Sequence, residues 1–417
     1  MTDTDIKNKI PDGWSRNKLS YFVDLIGKRA PKFSTPYLEI GDIDIISKNY
    51  ELKEKPAPGV CLLAESGDVL VSKVRPTRGA ITFVKDSLFT SPAFSVVRSK
   101  KNKQYLFYAL SRQKFVNYLG IRETGTTYPS CDDGDILDYK ADFPEDSTEQ
   151  QKIAEVLATV DEAIEKTNAI IEKNKRIKQG LMQDLFRYGI DEHGNIRSEK
   201  THKFKTVKIG NEEMRIPEDW DAVKLSEIAN VVDSLHTTPL FVEDGVPMVR
   251  GTDIKEGDLI LDKAFKVTFG IFKLYSKKYL PKKEDILMTR VGSYGVVTYV
   301  NTDSKFCLGQ NTVVIVPQDA NSKYLYHFLT FQVIKEQIEN GLAGSSQKTL
   351  SLKNIRNLVL TLPKNKKEQE GIANRIVGLE DVEKIEIKNK QKLLSLKRGL
   401  MEDLLTGTVR VNSLITK

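Results

Sequence analysis

A chain of 417 residues with 40% apolar residues has material for roughly two to three domains of about 150 residues each, and its formal charge of +7 is compatible with nucleic acid without requiring it. No stretch approaches the ~20 apolar residues of a membrane helix, and Met1–Ile10 is polar with no signal-peptide core, so the cytosol is the expected compartment and no membrane partner is expected. Three widely spaced cysteines, Cys61, Cys131 and Cys307, fit neither a disulfide framework nor a zinc site.

Taken in chain order, residues 1–145 mix short β-rich runs with Gly and Pro punctuation. Val69–Val74, Ala80–Val84 and Phe94–Val97 are predicted strands, and the three- and four-residue apolar spacing of Lys103–Leu119 predicts one helix. Pro144 closes this domain. A long helix follows, within 146–188, opened by Ser147-Thr148-Glu149-Gln150 as its cap. Its apolar seam is Ile153, Leu157, Val160, Ile164 and Ile171, interrupted by Thr167 and Asn174. Some 37 helical residues would make a rod of about 55 Å, and a rod with one apolar stripe needs a partner.

Residues 189–215 are polar, with Arg197, Lys200, Lys203, Lys205 and Lys208, and are expected to form a solvated connector; a linker that touches DNA is the alternative. Residues 216–363 form a second domain. A second long helix occupies 364–407, with Ile372, Ile376, Leu379, Val382, Ile385, Leu393, Leu396 and Leu400 as its seam, and 408–417 is a C-terminal tail. The simplest arrangement packs the two helices on each other as an antiparallel, coiled-coil-like pair. The alternative lays each on its own domain.

The chain repeats itself. EQQKIA at Glu149–Ala154 returns as EQEGIA at Glu368–Ala373, and KQGLMQDL at Lys178–Leu185 returns as KRGLMEDL at Lys397–Leu404, both at an offset of 219. Tyr105-Leu106, Gly125 and Pro144 recur as Tyr324-Leu325, Gly344 and Pro363 at the same offset. Ile10-Pro11-Asp12-Gly13-Trp14 returns as Ile216-Pro217-Glu218-Asp219-Trp220, placing the only two tryptophans at equivalent points. A period this long is no solenoid; it means two pseudo-equivalent domains. The expected class is α+β, with two pseudo-symmetric domains separated by two long antiparallel helices.

Two variable domains opened by I-P-x-x-W-x-x-x-K-L, each closed by a proline and an E-Q-x-x-I-A helix ending in G-L-M-x-D-L, resemble the specificity (S) subunit of type I restriction–modification systems. The likeness covers nearly the whole chain and rests on the paired motifs in order. It implies two target-recognition domains, each reading one half of a bipartite, asymmetric site in double-stranded DNA. It also implies helices that dock two modification (M) subunits, with restriction (R) subunits in the full complex. S-adenosylmethionine, ATP and Mg would belong to those partner subunits, with no cofactor in this chain. The conserved helix ends then nominate Glu149, Gln150, Ile153, Leu181, Met182 and Leu185, with Glu368, Gln369, Ile372, Leu400, Met401 and Leu404, as partner-binding residues. The rod would act as a ruler setting the unread gap.

Three loop pairs are candidates for DNA contact. The first is the tight basic turn after a strand, with Lys73, Arg75 and Arg78, matched by Arg290, Ser293 and Tyr294. Arginine offers paired donors to guanine or phosphate, and glycine lets the backbone approach. The second holds Arg122, Thr126, Thr127 and Tyr128, matched by Ser345, Ser346, Gln347 and Lys348; hydroxyl, amide and basic groups suit phosphates and base edges. The third is Arg250 in Arg250-Gly251-Thr252-Asp253, paired with Ile40-Gly41-Asp42. Each has an ordinary reading beside it, a surface hairpin or a polar turn.

Catalytic signatures are missing from the sequence. There is no G-x-x-x-x-G-K-[ST] loop, no G-x-G-x-x-G turn and no N/D-P-P-Y/F tetrapeptide of amino-methyltransferases. The four histidines do not cluster with the cysteines. Pro11-Asp12 with Glu51-Leu52-Lys53 is a loose nuclease-like match, explained as a domain-opening feature by its copy Pro217-Glu218. The expectation is a non-catalytic recognition subunit. A scaffold without sequence-specific DNA contact, or a related type II or methylation-only system, is the alternative.

Overall fold

The computed structural model describes residues 10–53, 55–342 and 349–415. The chain divides into two compact units, one of residues 1–169 with 387–417 and one of residues 170–386. Each long helix is therefore shared, its first half in one unit and its second half in the other. The two units repeat one architecture.

In the first unit, an antiparallel sheet has the order Val23–Leu25, Phe94–Ser99, Val69–Ser72, Ile81–Phe83. Val69–Val71 is a continuous apolar run because both faces of its strand are covered, and the period-2 pleat sorts its side chains. Val69 and Val71 enter the core beneath the helices, with Val97, Phe115, Ile153 and Leu157. Leu70 enters a second core shared with Leu38, Ile43, Leu88 and Phe94 under a smaller sheet. In the second unit the order Ala229–Asp233, Thr312–Pro317, Ile286–Thr289, Val297–Tyr299 repeats the pattern. There Ile286 and Met288 face the helices, while Leu287 faces Val249, Phe306 and Leu308.

Each domain is closed by the strand that precedes its long helix. Lys140–Pro144 pairs with Trp14–Lys18, and Val359–Pro363 with Trp220–Lys224, so each tryptophan stands opposite the closing proline. Proline ends these strands at the point where the helix begins. The first helix runs Ser147–Tyr188, 42 residues, and the second Lys366–Leu404, 39 residues. The first is capped one residue before the sequence-based expectation, by Asp146, whose carboxylate accepts the Thr148 N–H. Asn365 does the same for Lys367.

The helices run antiparallel in both units. In the first, Glu149 meets Arg410 and Asp161 meets Lys397; in the second, Lys178 meets Glu380 and the Ile190 N–H meets Glu368. The first helix buries its expected seam at Ile153, Leu157, Val160, Ile164 and Ile171, with Thr167 also buried and its hydroxyl returned to the Ala163 carbonyl. The second buries Ile372 and Ile376, but Val382, Ile385 and Leu396 are exposed, so its stripe is not covered along its length.

Two further expectations differ. Lys103–Leu119 is not one helix: Lys103–Leu110 and Gln113–Arg122 are separate. The break lies at Arg112, whose backbone is extended and whose guanidinium reaches the Leu405 carbonyl. The polar segment 189–215 is not simply a solvated connector. Phe204–Ile209 and Glu212–Pro217 form an antiparallel hairpin, and Ile209, Met214 and Ile216 join the core of the second unit. Three buried apolar side chains inside a charged run are enough to anchor a hairpin.

Candidate nucleic-acid interface

In the first unit the two predicted loops are built against each other. Val74 bridges to Ser130, and Thr124 pairs with Ser130 across the second loop. The Arg75 N–H bonds the Pro129 carbonyl at 2.7 Å. Arg75 adopts a left-handed backbone (φ 48°) ahead of the 3-10 turn Pro76–Arg78, and Gly79 closes the turn with φ 66°. These turns carry Arg75 to within 5.6 Å of the Tyr128 ring, 71% exposed, and leave Arg78, Thr126 and Thr127 on the surface. Arg122 folds back over the Tyr118 ring at 3.7 Å. Lys73 differs from its neighbours: its ammonium pairs with Asp133 at 3.2 Å. The result is one exposed surface with arginine and hydroxyl donors and aromatic faces, suited to phosphates and base edges.

In the second unit Val291 bridges to Thr349, and the Leu350 N–H bonds the Arg290 carbonyl, so the corresponding loops again meet. Ser345, Ser346, Gln347 and Lys348 lie outside the described residues. Arg290 is turned inward. Its side chain is only 12% exposed, with Nε on the Leu350 carbonyl and Nη1 on Asp233 at 2.7 Å. Reading the loop as a copy of Arg75 missed this, because the carboxylate that draws Arg290 in comes from a strand 57 residues away. Ser293 is exposed, and the Tyr294 hydroxyl donates to Glu339.

Arg250 lies beside this loop rather than in it. A Cβ added to the next residue, Gly251, would come 3.9 Å from Thr289, the last residue of the strand that leads into Arg290. Asp253 holds its Nε and Nη2, and its guanidinium lies 3.8 Å from the Phe265 ring. The corresponding turn of the first unit has Glu39 in this place, with Asp42 held by Lys53 and Lys55.

Residues 11–176 and 217–398 match the family model described as the type I restriction modification DNA specificity domain. The chain belongs to this family. It is 24% identical to the type I restriction enzyme MjaVIII specificity subunit of Methanocaldococcus jannaschii, over 97% of this chain and 95% of that protein. It is 25% identical to the EcoBI specificity subunit of Escherichia coli, over 68% of this chain and 60% of that protein. Its fold is shared with a type I S subunit from M. genitalium at a TM-score of 0.60 and 17% identity, covering 95% of this chain and 98% of that one. It is also shared with a chain from a type I restriction–modification assembly at 0.56 and 18%, covering 96% and 100%.

The family's repeated helix motifs have a physical explanation here. The Gln150 amide donates to the Pro144 carbonyl while its oxygen takes the Asn102 N–H; Gln369 does the same for Pro363 and Asn321. Each Gln thus ties the helix start to the closing strand and to the cap of an earlier helix in its own domain. Glu149 accepts both prongs of Arg410, and Glu368 accepts Arg197, the Trp220 indole N–H and the Ile190 N–H. Burial pushes the Glu368 carboxyl up, against the lowering effect of these donors. Ile153, Ile372, Met182, Leu185 and Leu404 are buried in the cores, and Leu181, Leu400 and Met401 pack partly buried against them. These side chains, nominated for partner docking, are engaged within the chain.

The pairings of several structural residues were not legible in the sequence, although Lys178 and Lys397 open the repeated motif. Lys397 bridges to Asp161 at 2.6 Å and lies 5.6 Å from the Tyr108 ring, whose hydroxyl donates to Asp161. At positions 219 apart, Lys178 meets Glu380, with the His327 ring 3.8 Å away. Each unit therefore sets a residue of its domain against a helix–helix ion pair, a tyrosine that donates to it in one and a buried histidine beside it in the other. Burial pushes His327 down to about 3, so the ring is neutral near pH 7. Among the described residues no group of three or more His, Cys, Asp or Glu could hold a metal ion, and no helix is long and apolar enough to cross a membrane. Burial raises the thiols of Cys131, to about 11, and Cys307, to about 12, which keeps both protonated.

Proposed function

We propose that each unit reads one half of a bipartite, asymmetric sequence in double-stranded DNA, and that the long helices carry two modification subunits. The observation that supports it most directly is the recurrence of one loop pairing, Val74 with Ser130 and Val291 with Thr349, at the same end of the same sheet in both units. The scaffold is repeated while the loop residues differ. That is the arrangement expected when two halves approach a duplex alike and read different bases.

In this reading the chain transfers no methyl group and cuts no strand. S-adenosylmethionine, ATP and Mg belong to the modification and restriction partners, and the complex works in the cytoplasm. The test is selection from a random duplex library by this chain assembled with its modification subunits. Enrichment of two short motifs at a fixed gap supports the reading. Salt-sensitive binding with no sequence preference would leave only a scaffold.

A further inference from the structure

The connection after the first sheet strand leaves each unit at the same end as the loop after the central strand. In the first unit the Ile26 N–H bonds Val96 and the Lys73 N–H bonds Ala93; in the second the Ser234 N–H bonds Thr312 and the Arg290 N–H bonds Asn311. Both connections carry large apolar side chains into solvent. Phe33 is 65% exposed, with φ 68° and the Lys32 ammonium 4.7 Å from its ring. Leu240 is 88% exposed and Phe241 36%. Single exposed apolar residues are ordinary, but the Leu240-Phe241 cluster is not, and Phe33 lies in the matching connection of the first unit.

The second cluster is firmly supported. Phe241 packs edge-on to Phe265, with ring centroids 4.8 Å apart, and Arg250 lies over Phe265. Asp253 grips Arg250 from the side, and a Cβ on Gly309 would sit 3.1 Å from its Cγ, so this arginine has little freedom. The guanidinium is still one-third exposed. A rigid apolar tip flanked by a fixed arginine suits one occupant: a duplex base step, with the tip between bases and the cation toward phosphate or a base edge.

We infer that Leu240-Phe241 in the second unit and Phe33 in the first are wedges that part a base step beside each half-site. The inference rests on the proposed DNA-reading function and assigns it residues outside the paired loops. Stacking or insertion of this kind is worth about tenfold in affinity per base.

The test uses the full chain with its modification subunits and duplexes carrying the selected site, with 2-aminopurine placed at successive positions. Wild type should show a fluorescence rise at one step beside each half-site. Leu240→Ser with Phe241→Ala should abolish it at one half-site only, with about tenfold weaker cognate binding and an unchanged salt slope. Phe33→Ala should act on the other half-site. Leu240→Ser alone, at so exposed a position, controls for folding and should lose part of the signal. Selection of a bipartite site with no unstacked step, or variants that bind it within twofold of wild type, overturns the wedges and leaves the reading intact. Intact DNA binding with lost subunit assembly overturns them in favour of a protein contact. Failure of wild type to select any site overturns the reading itself.

Discussion

Arg410 and Glu149 stand 261 residues apart and form a two-pronged ion pair, Nε to Oε1 at 2.7 Å and Nη2 to Oε2 at 2.9 Å. Arg197 reaches Glu368 with a single nitrogen, Nη2 to Oε2 at 2.8 Å, while its Nε and Nη1 go to the Ile190 carbonyl and Asp219. In both cases the arginine follows one long helix and grips the first turn of the other. A glycine marks the turn between: Gly407 (φ 70°) lies against Pro11 and Trp14, and Gly189 (φ 65°) against Trp220 and Glu368, where a Cβ would have no room. Residues 408–415 thus do for the first unit what the stretch after Gly189 does for the second.

Removing Arg410 should therefore loosen the first unit. Glu149 is buried and would lose its partner, which costs about 3–5 kcal/mol when both groups are buried; with Arg410 28% exposed, about 2 kcal/mol is expected. Arg410→Ala should raise amide exchange at residues 147–154, and the double variant Arg410→Met, Glu149→Gln should lose less. Equal losses would mean that the pair is not what holds this corner.

His327 should make stability depend on pH. Its folded value is lowered to about 3 from 6.5 by burial, so only the unfolded chain takes up the proton between those values. Its contribution is complete above about pH 6.5 and falls as pH drops toward 3, with a slope of about 1.4 kcal/mol per pH unit. Glu380, raised by burial, works in the opposite sense. The slope is therefore taken as the difference between wild type and His327→Tyr, the residue of the first unit, in denaturant titrations from pH 4 to 8. A zero difference would place the ring in a more solvated setting.

Arg75 and Arg290 should behave differently although they occupy matching loops. Arg75→Ala with Arg78→Ala should relax discrimination at one half-site only, by about 1–3 kcal/mol per lost base contact. Uniform weakening across sequences would assign both residues to phosphates. Arg290→Ala removes the clamp between Leu350 and Asp233, so it should increase exchange at residues 349–350 and lower the melting temperature. A purely base-reading Arg290 would leave stability unchanged.

Gly180 and Gly399 sit in the long helices with no atom within 4 Å of an added Cβ. Alanine there should stabilise the isolated chain by about 0.5–1 kcal/mol each. If modification subunits approach these turns closely, leucine at the same positions should be tolerated by the chain and weaken the complex. Pull-down and melting curves on the same variants separate the two effects.

Much of this molecule was legible in its sequence because the repeat is long. Strands such as Val69–Ser72 and the helices beginning near Ser147 and Lys366 lie where period and motif place them, since local hydrogen bonding and apolar spacing decide both. The two loop pairs could be located by offset. Their orientation could not: the turning-in of Arg290 depends on Asp233, and the hairpin within 204–217 on three buried side chains in a charged run. The docking residues illustrate the same limit, because recurrence does not distinguish a side chain facing a partner from one buried at home.

The sequence by itself determined the duplicated plan, the helix positions and the family, since these follow from short-range periodicity and from the 219-residue offset. Tertiary structure alone decided which arginines are free and which are clamps, that the helices are shared between units, and that tyrosine and histidine hold equivalent posts. Those outcomes depend on charges and carbonyls brought together from distant positions, and on burial that makes an unpaired charge costly.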